Sequence, residues 1–308
     1  MKRWLKKTAA DLWKGWVGFA FQTESAHRYR LFEIFFPIVL FSHYITLVQD
    51  LDFFYGPQGL VTPAKIDDMI EMSGRFSILM LNSSMLWVWT CYLIFLGSLL
   101  CIIFGKFQRV AAAIALALHV SFIHRNVSIA FGMDLISIFF LFYLIFGAGV
   151  GHVKVSNWKT ELRSLGLRFA QLQLCVIYAY SGIEKLKGIS WWRGEAMWLA
   201  ISNPQLGRID VTWLSHFPFL IVLGTYLPLV WEVYFPAIIW IPAIRKWVLG
   251  FGVLFHALIA VTMSLPHFGV VMVSLYVLFL TEDEAAKILE WLKSKQFELK
   301  KRLRAAVS

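Results

Sequence analysis

The chain has 308 residues, of which 59% are hydrophobic, 17% aromatic and only 16% charged, with a mean hydropathy of +0.66. A soluble globular chain carries roughly 45–50% apolar and about 25% charged residues, so an ordinary water-solvated domain is excluded as the whole account. The formal net charge of +10 names no partner until the positions of the cations are known.

In chain order, residues 1–24 come first. The stretch MKRWLKKTAADLWKGW groups Trp4, Leu5, Leu12, Trp13 and Trp16 broadly on one helical face among lysines, the pattern of a helix lying in a membrane interface. No apolar core precedes Phe19, so no cleavable signal peptide is expected. Apolar runs then recur at roughly 29–48, 83–104, 108–125, 132–150, 167–185, 217–240, 247–264 and 267–281, against the ~20 residues a helix needs to cross a bilayer core. The expected fold is all-α: a polytopic integral membrane bundle of about eight transmembrane helices over 25–285. A charged helix follows over 286–308.

Of the 29 lysines and arginines, 22 fall in the two terminal segments and the loops near 106–109, 151–168 and 245–246, and seven on the other side. The positive-inside rule then puts both termini in the cytoplasm. The positive charge reads as contact with a bilayer containing anionic lipids, not as nucleic-acid binding. Cys91, Cys101 and Cys175 all lie within apolar runs and read as small packing residues, though a bridge from either of the first two to Cys175 stays open.

Ionisable side chains at membrane depth are costly, so each is a functional candidate. In IYAYSGIEKLKGISWW (177–192), Lys185 shares a helical face with Gly182, Ser181 and Tyr178, and with Gln171 further back. Such a stripe should turn toward the bundle, with Lys185 as a general base at the mouth of a pocket or as a lysine snorkelling to the interface. Glu232 and His256 have no opposite charge within reach on their own helices, so their partners must come from other helices: for Glu232 a structural ion pair or a proton relay, and for His256 a hydrogen-bonded place in the core or a functional role. Glu33 sits three residues from Arg30, within local ion-pair reach. Arg125 and Asn126 close the third apolar run and Asp134 opens the fourth, where an acid suits a helix N-terminus. FFYGPQGLVTP (53–63) has the punctuation of an ordered turn. The eight histidines show no HxxxH or HExxH spacing, so no metal site is expected, and P-loop, GxGxxG and GxSxG motifs are absent.

Four stretches carry a family resemblance: FYGPQGL, HRNVSIAFGMD, IYAYSGIEKLKGISWWRGEAM and FHALIAVTMSLPHFGVVM. In this order they resemble the horizontally transferred transmembrane (HTTM) family, which includes the membrane part of the vitamin K-dependent γ-glutamyl carboxylase. The resemblance covers roughly 25–285, and its most specific piece is Gly182-x-x-Lys185-Leu186 followed by Trp and Gly. It implies an outer-facing intramembrane pocket for vitamin K hydroquinone or another quinol, with Lys185, His256 and Glu232 in catalytic roles. Arg125, Asn126, Tyr178 and Ser181 would line the cofactor pocket. Two departures stand out. The carboxylase has Asn-Asn-His where this chain reads Arg125-Asn126-Val127, and it continues into a large extramembrane domain where this chain reaches Ser308. The expectation is a stand-alone HTTM protein, similar also to small bacterial members implicated in maturing secreted toxin peptides. A bacterial inner membrane location and a secreted peptide or protein substrate follow from that likeness. The alternative to enzymatic chemistry is a non-catalytic protein that assists maturation or export of such a peptide, and the oligomeric state is left open.

Overall fold

Proline sets three of the helix starts. Pro218, Pro242 and Pro266 each stand in the first turn of an apolar helix, where the missing N–H has no helical partner to lose and the fixed φ suits the turn. The computed structural model describes residues 2–21, 26–62, 75–147, 158–205, 207 and 209–307. Among these there are helices and turns and no strand. In order the helices are α1 (Lys2–Phe21), α2 (Ala26–Thr46), α3 (Leu51–Tyr55), α4 (Met85–Ile103), α5 (Gln108–Arg125) and α6 (Gly132–Gly147). Then come α7 (Trp158–Leu186), α8 (Ile189–Trp192), α9 (Ala196–Ile201), α10 (Pro218–Ile238), α11 (Pro242–Thr262), α12 (Pro266–Ser274) and α13 (Glu282–Val307).

The described residues of the eight expected apolar runs fall largely on helix, with 148–150 of the run 132–150 outside the described residues, but their capacity to cross a membrane differs. By length and composition three qualify, α4, α10 and α11; α2 joined to its continuation Val48–Tyr55 across a 44° bend makes a fourth. The α6 helix and the Pro266–Phe279 unit are apolar but shorter, the latter tightening into a 3₁₀ turn at Leu275–Phe279. The outward faces identify the solvent. Leu86 and Leu93 on α4, Val230 and Tyr234 on α10, and Trp247, Leu254 and Val261 on α11 are all exposed. Apolar surface of this extent is not left to water, and a helix apolar on all sides sits in lipid or in a core. The chain is a membrane-integral helical protein.

Helix α7 is long and more polar, and α1, α6 and α10 pack around it. An aromatic core runs beside it through Phe32, Phe36, Phe95, Phe122, Phe140 and Phe235, all fully buried. At one end of the bundle, Arg30 donates to the carbonyls of Ile102 and Ile103, satisfying terminal acceptors of α4, and pairs with buried Glu33 at 3.0 Å. Gln108 adds a bond to the same carboxylate at 2.7 Å. Gly105, at φ 72°, takes the left-handed turn between α4 and α5 that glycine permits without a Cβ clash.

Helix α1 exposes Leu12, Trp13 and Trp16 and is tied to α7 where Arg168 donates to the Phe19 carbonyl at 3.1 Å and covers its ring. The side chains of Trp4 and Leu5 lie outside the described residues, as do Pro63 of the expected turn and residues 151–157 of the loop expected over 151–168, whose remainder instead forms the start of α7. The final helix starts at Glu282, upstream of the expected 286, because Thr281 and Glu284 form a reciprocal cap (2.8 and 3.3 Å). The Thr281 backbone N–H holds the Glu284 carboxyl below its usual range. Ala285 and Leu289 bury the first turns of α13 against Leu31 of α2. The three cysteines are free thiols.

Candidate functional site

The stripe on α7 does turn inward. Gln171 and Tyr178 are buried, and a Cβ on Gly182 would stand 2.8 Å from Val233 Cγ2 and 2.9 Å from its backbone nitrogen. The missing side chain therefore lets α7 and α10 approach closely. That approach decides the site, because it brings Glu232 beside the amine: Lys185 Nζ forms an ion pair with Glu232 Oε2 and donates to Ser181 Oγ at 2.9 Å. The carboxylate side chain is 4% exposed and the lysine side chain 21%. Trp191, just beyond the helix end, sets its ring 5.3 Å from the ammonium, a further favourable contact for a cation.

Within the same cluster, deeper along α7, the Tyr178 hydroxyl lies 2.8 Å from His256 Nε2 on α11 and 2.7 Å from the Tyr276 hydroxyl. A phenol donates once and accepts, so this chain can hold its protons in either of two orders. Tyr276 gives to Tyr178 and Tyr178 to His256, or the sequence runs the other way. Tyr276 itself lies in the 3₁₀ turn after α12, and sequence reasoning did not single it out; a hydroxyl-bearing ring within an otherwise apolar run was the available signal. Gly252 makes room for it: a Cβ there would collide with the Tyr276 hydroxyl and stand 2.8 Å from Trp231 Cζ2. Gly252→Ala is therefore expected to displace Tyr276 and to lower stability in thermal unfolding by about 1–3 kcal/mol, the usual cost of overpacking.

Arg125 and Asn126 do different work. The buried Arg125 guanidinium donates to the carbonyls of Val61 (2.7 Å), Tyr55 (3.1 Å) and Gly56 (3.2 Å). Asn126 Nδ2 donates to the Phe54 carbonyl at 2.9 Å. Both side chains hold the 54–61 turn and, among the described residues, make no hydrogen bond to the lysine cluster. So the structure assembles Lys185, Ser181, Glu232, Tyr178 and His256, and places Arg125 and Asn126 in a second group.

A quinol-type ring beside Lys185 needs an apolar berth. Below the ion pair, the Tyr178 ring packs on Trp231 and Phe235 with centroids 4.7 and 4.4 Å away, and Trp231 packs on Phe251 and Phe255. The lysine amine is already engaged by Glu232 and Ser181. These two contacts use two of the three ammonium donors.

Comparison with known proteins adds one likeness. Over 126 residues the chain is 28% identical to sporulation-delaying protein SdpB of Bacillus subtilis (strain 168), the match covering 39% of each chain. It therefore spans well under half the length of that relative. No family model matches the chain, and no solved structure matches it.

Proposed function

We propose that the chain is an HTTM-type membrane protein that assists maturation or export of a secreted peptide, with its polar cluster as the working centre. The observation that carries this reading is the Lys185–Glu232 pair: two ionisable groups held together within an apolar bundle, an arrangement that is costly in a membrane and marks a site by default. The adjoining His256–Tyr178–Tyr276 chain gives that site a means to hold or pass a proton. Positive-inside orientation would turn the cluster outward, where an exported peptide arrives. The likeness to SdpB supports a bacterial membrane setting.

The test removes the chain from its host and measures the mature peptide in the medium by mass spectrometry. Restoration by the wild-type chain, and not by a stably inserted Lys185→Met/Glu232→Leu variant, is the expected result. Equal restoration by both would remove the cluster from the function. A peptide carrying newly carboxylated glutamate would instead favour the quinol-dependent, carboxylase-like alternative.

A further inference from the structure

Between the ends of α2 and α5 and the start of α6, a cavity of about 210 Å³ is walled by His43, Tyr44 and Phe54 together with Asn126, Phe131 and Asp134. Its polar groups are incompletely bonded. Asn126 is 1% exposed; its Nδ2 is engaged by the Phe54 carbonyl, while Oδ1 is buried and makes no hydrogen bond among the described residues. Asp134, 5% exposed, accepts from the Phe131 backbone N–H through Oδ2 at 3.0 Å. Its other oxygen faces His43 Nε2 only at 3.8 Å, too far for a hydrogen bond. His43 Nδ1 likewise makes no hydrogen bond among the described residues.

These groups share one character. Asn126 Oδ1 and Asp134 Oδ1 can only accept, and His43 Nδ1 accepts when its proton sits on Nε2, the nitrogen nearer the carboxylate. Asp134 is the one residue of the lining that carries a formal charge, histidines counted neutral, and Arg125 is turned away onto the 55–61 carbonyls. The surrounding walls are aromatic: His43 stands edge-on to Phe131 and Tyr44. Tyr44 is itself fixed, because His119 Nε2 must donate to the Asp134 carbonyl (2.9 Å) and so leaves Nδ1 to accept the Tyr44 hydroxyl (2.9 Å). A rigid pocket of acceptors around one carboxylate, faced by rings, matches a cation with several N–H donors.

We propose that this cavity binds a primary ammonium group of the secreted peptide, an inference that rests on the peptide reading above. The ammonium would place its donors on Asp134, Asn126 and His43 and its carbon neighbour against Phe131 and Phe54.

The test uses the full chain in lipid nanodiscs and calorimetric titration with two probes, n-butylammonium for a lysine side chain and phenylalaninamide for an amino terminus. n-Butanol serves as the neutral control. One of the ammonium probes should bind saturably and the tighter of the two identifies the source, while n-butanol should not bind. Asp134→Asn, which keeps an acceptor for the Phe131 N–H, should weaken binding by about thirtyfold or more. Ala130→Leu, which fills the cavity from its rim, should abolish binding while the bundle stays folded. Binding of n-butanol as strong as that of the ammonium probes, unchanged affinity in both variants, or no binding of either probe overturns the proposal. Since no peptide is present, these outcomes are independent of the maturation measurement, and either reading can fail alone.

Discussion

Lys185→Met is expected to destabilise the protein by ~3–5 kcal/mol, because it strands a buried carboxylate. The Glu232 side chain is 4% exposed, and after the substitution Ser181 on the neighbouring helix is too weak a replacement for an ammonium. Glu232→Leu should cost a similar amount from the other side, leaving a cation on a polar stripe with no counter-charge. The double variant is the informative one. Two apolar side chains of comparable size replace a pair whose attraction is largely offset by its own desolvation, so Lys185→Met/Glu232→Leu should recover most of the loss. Unfolding in mixed micelles with increasing SDS gives the coupling directly. Additive losses in the double variant, or a Lys185→Met protein as stable as the parent, would mean the two groups do not compensate one another. The recovered double variant also gives the maturation measurement its meaning, since a folded chain lacking only the pair separates chemistry from stability.

The α7 half of this cluster was legible because helix geometry is local: Tyr178, Ser181, Gly182 and Lys185 recur at three- and four-residue steps and must share a face. Their partners were not. Glu232, His256 and Tyr276 lie 47, 78 and 98 residues away from the α7 groups they bond, and no periodicity fixes which inward face of α10, α11 or the α12 end meets α7. The need for inter-helix partners could be read; their identity came from packing. Arg125 illustrates the opposite limit. Its position at a helix end beside Asn126 suits a pocket mouth equally well, and only the path of the 54–61 turn puts three carbonyls around the guanidinium. The apolar runs fall largely on helix, but three to four of those helices are long and apolar enough to cross a membrane, and crossing capacity depends on what surrounds each one. A helix such as α7, wrapped by α1, α6 and α10, can carry polar residues that a lipid-facing helix could not, so composition alone overstates how uniform the bundle is.

Arg125→Ala is expected to release the 54–61 turn and to cost on the order of 4 kcal/mol, since hydrogen bonds from a charged donor contribute about 1.5–3 kcal/mol each and do not add fully. Arg125 is 2% exposed, and loss of its guanidinium leaves the carbonyls of Tyr55, Gly56 and Val61 without their charged donor. Within the turn, close backbone contacts are already required: a Cβ at Gly59 would stand 2.9 Å from the Asp52 carbonyl, so the segment has little freedom to rebuild its own bonds. Lysine should rescue only part of the loss, because a single ammonium cannot span three acceptors as a planar fork does. Hydrogen exchange supplies the discriminating measurement. The amides of Gly59 and Leu60, bonded to Gly56 and Phe53, should lose protection in Arg125→Ala while the α7 amides keep theirs. Because Phe54 and Asn126 also wall the proposed ammonium cavity, the same variant should weaken binding of whichever ammonium probe the parent chain binds more tightly, while leaving the Lys185–Glu232 coupling intact. Retained protection at Gly59 and Leu60 would instead show that the turn is held by its own backbone bonds, with Arg125 packed alongside.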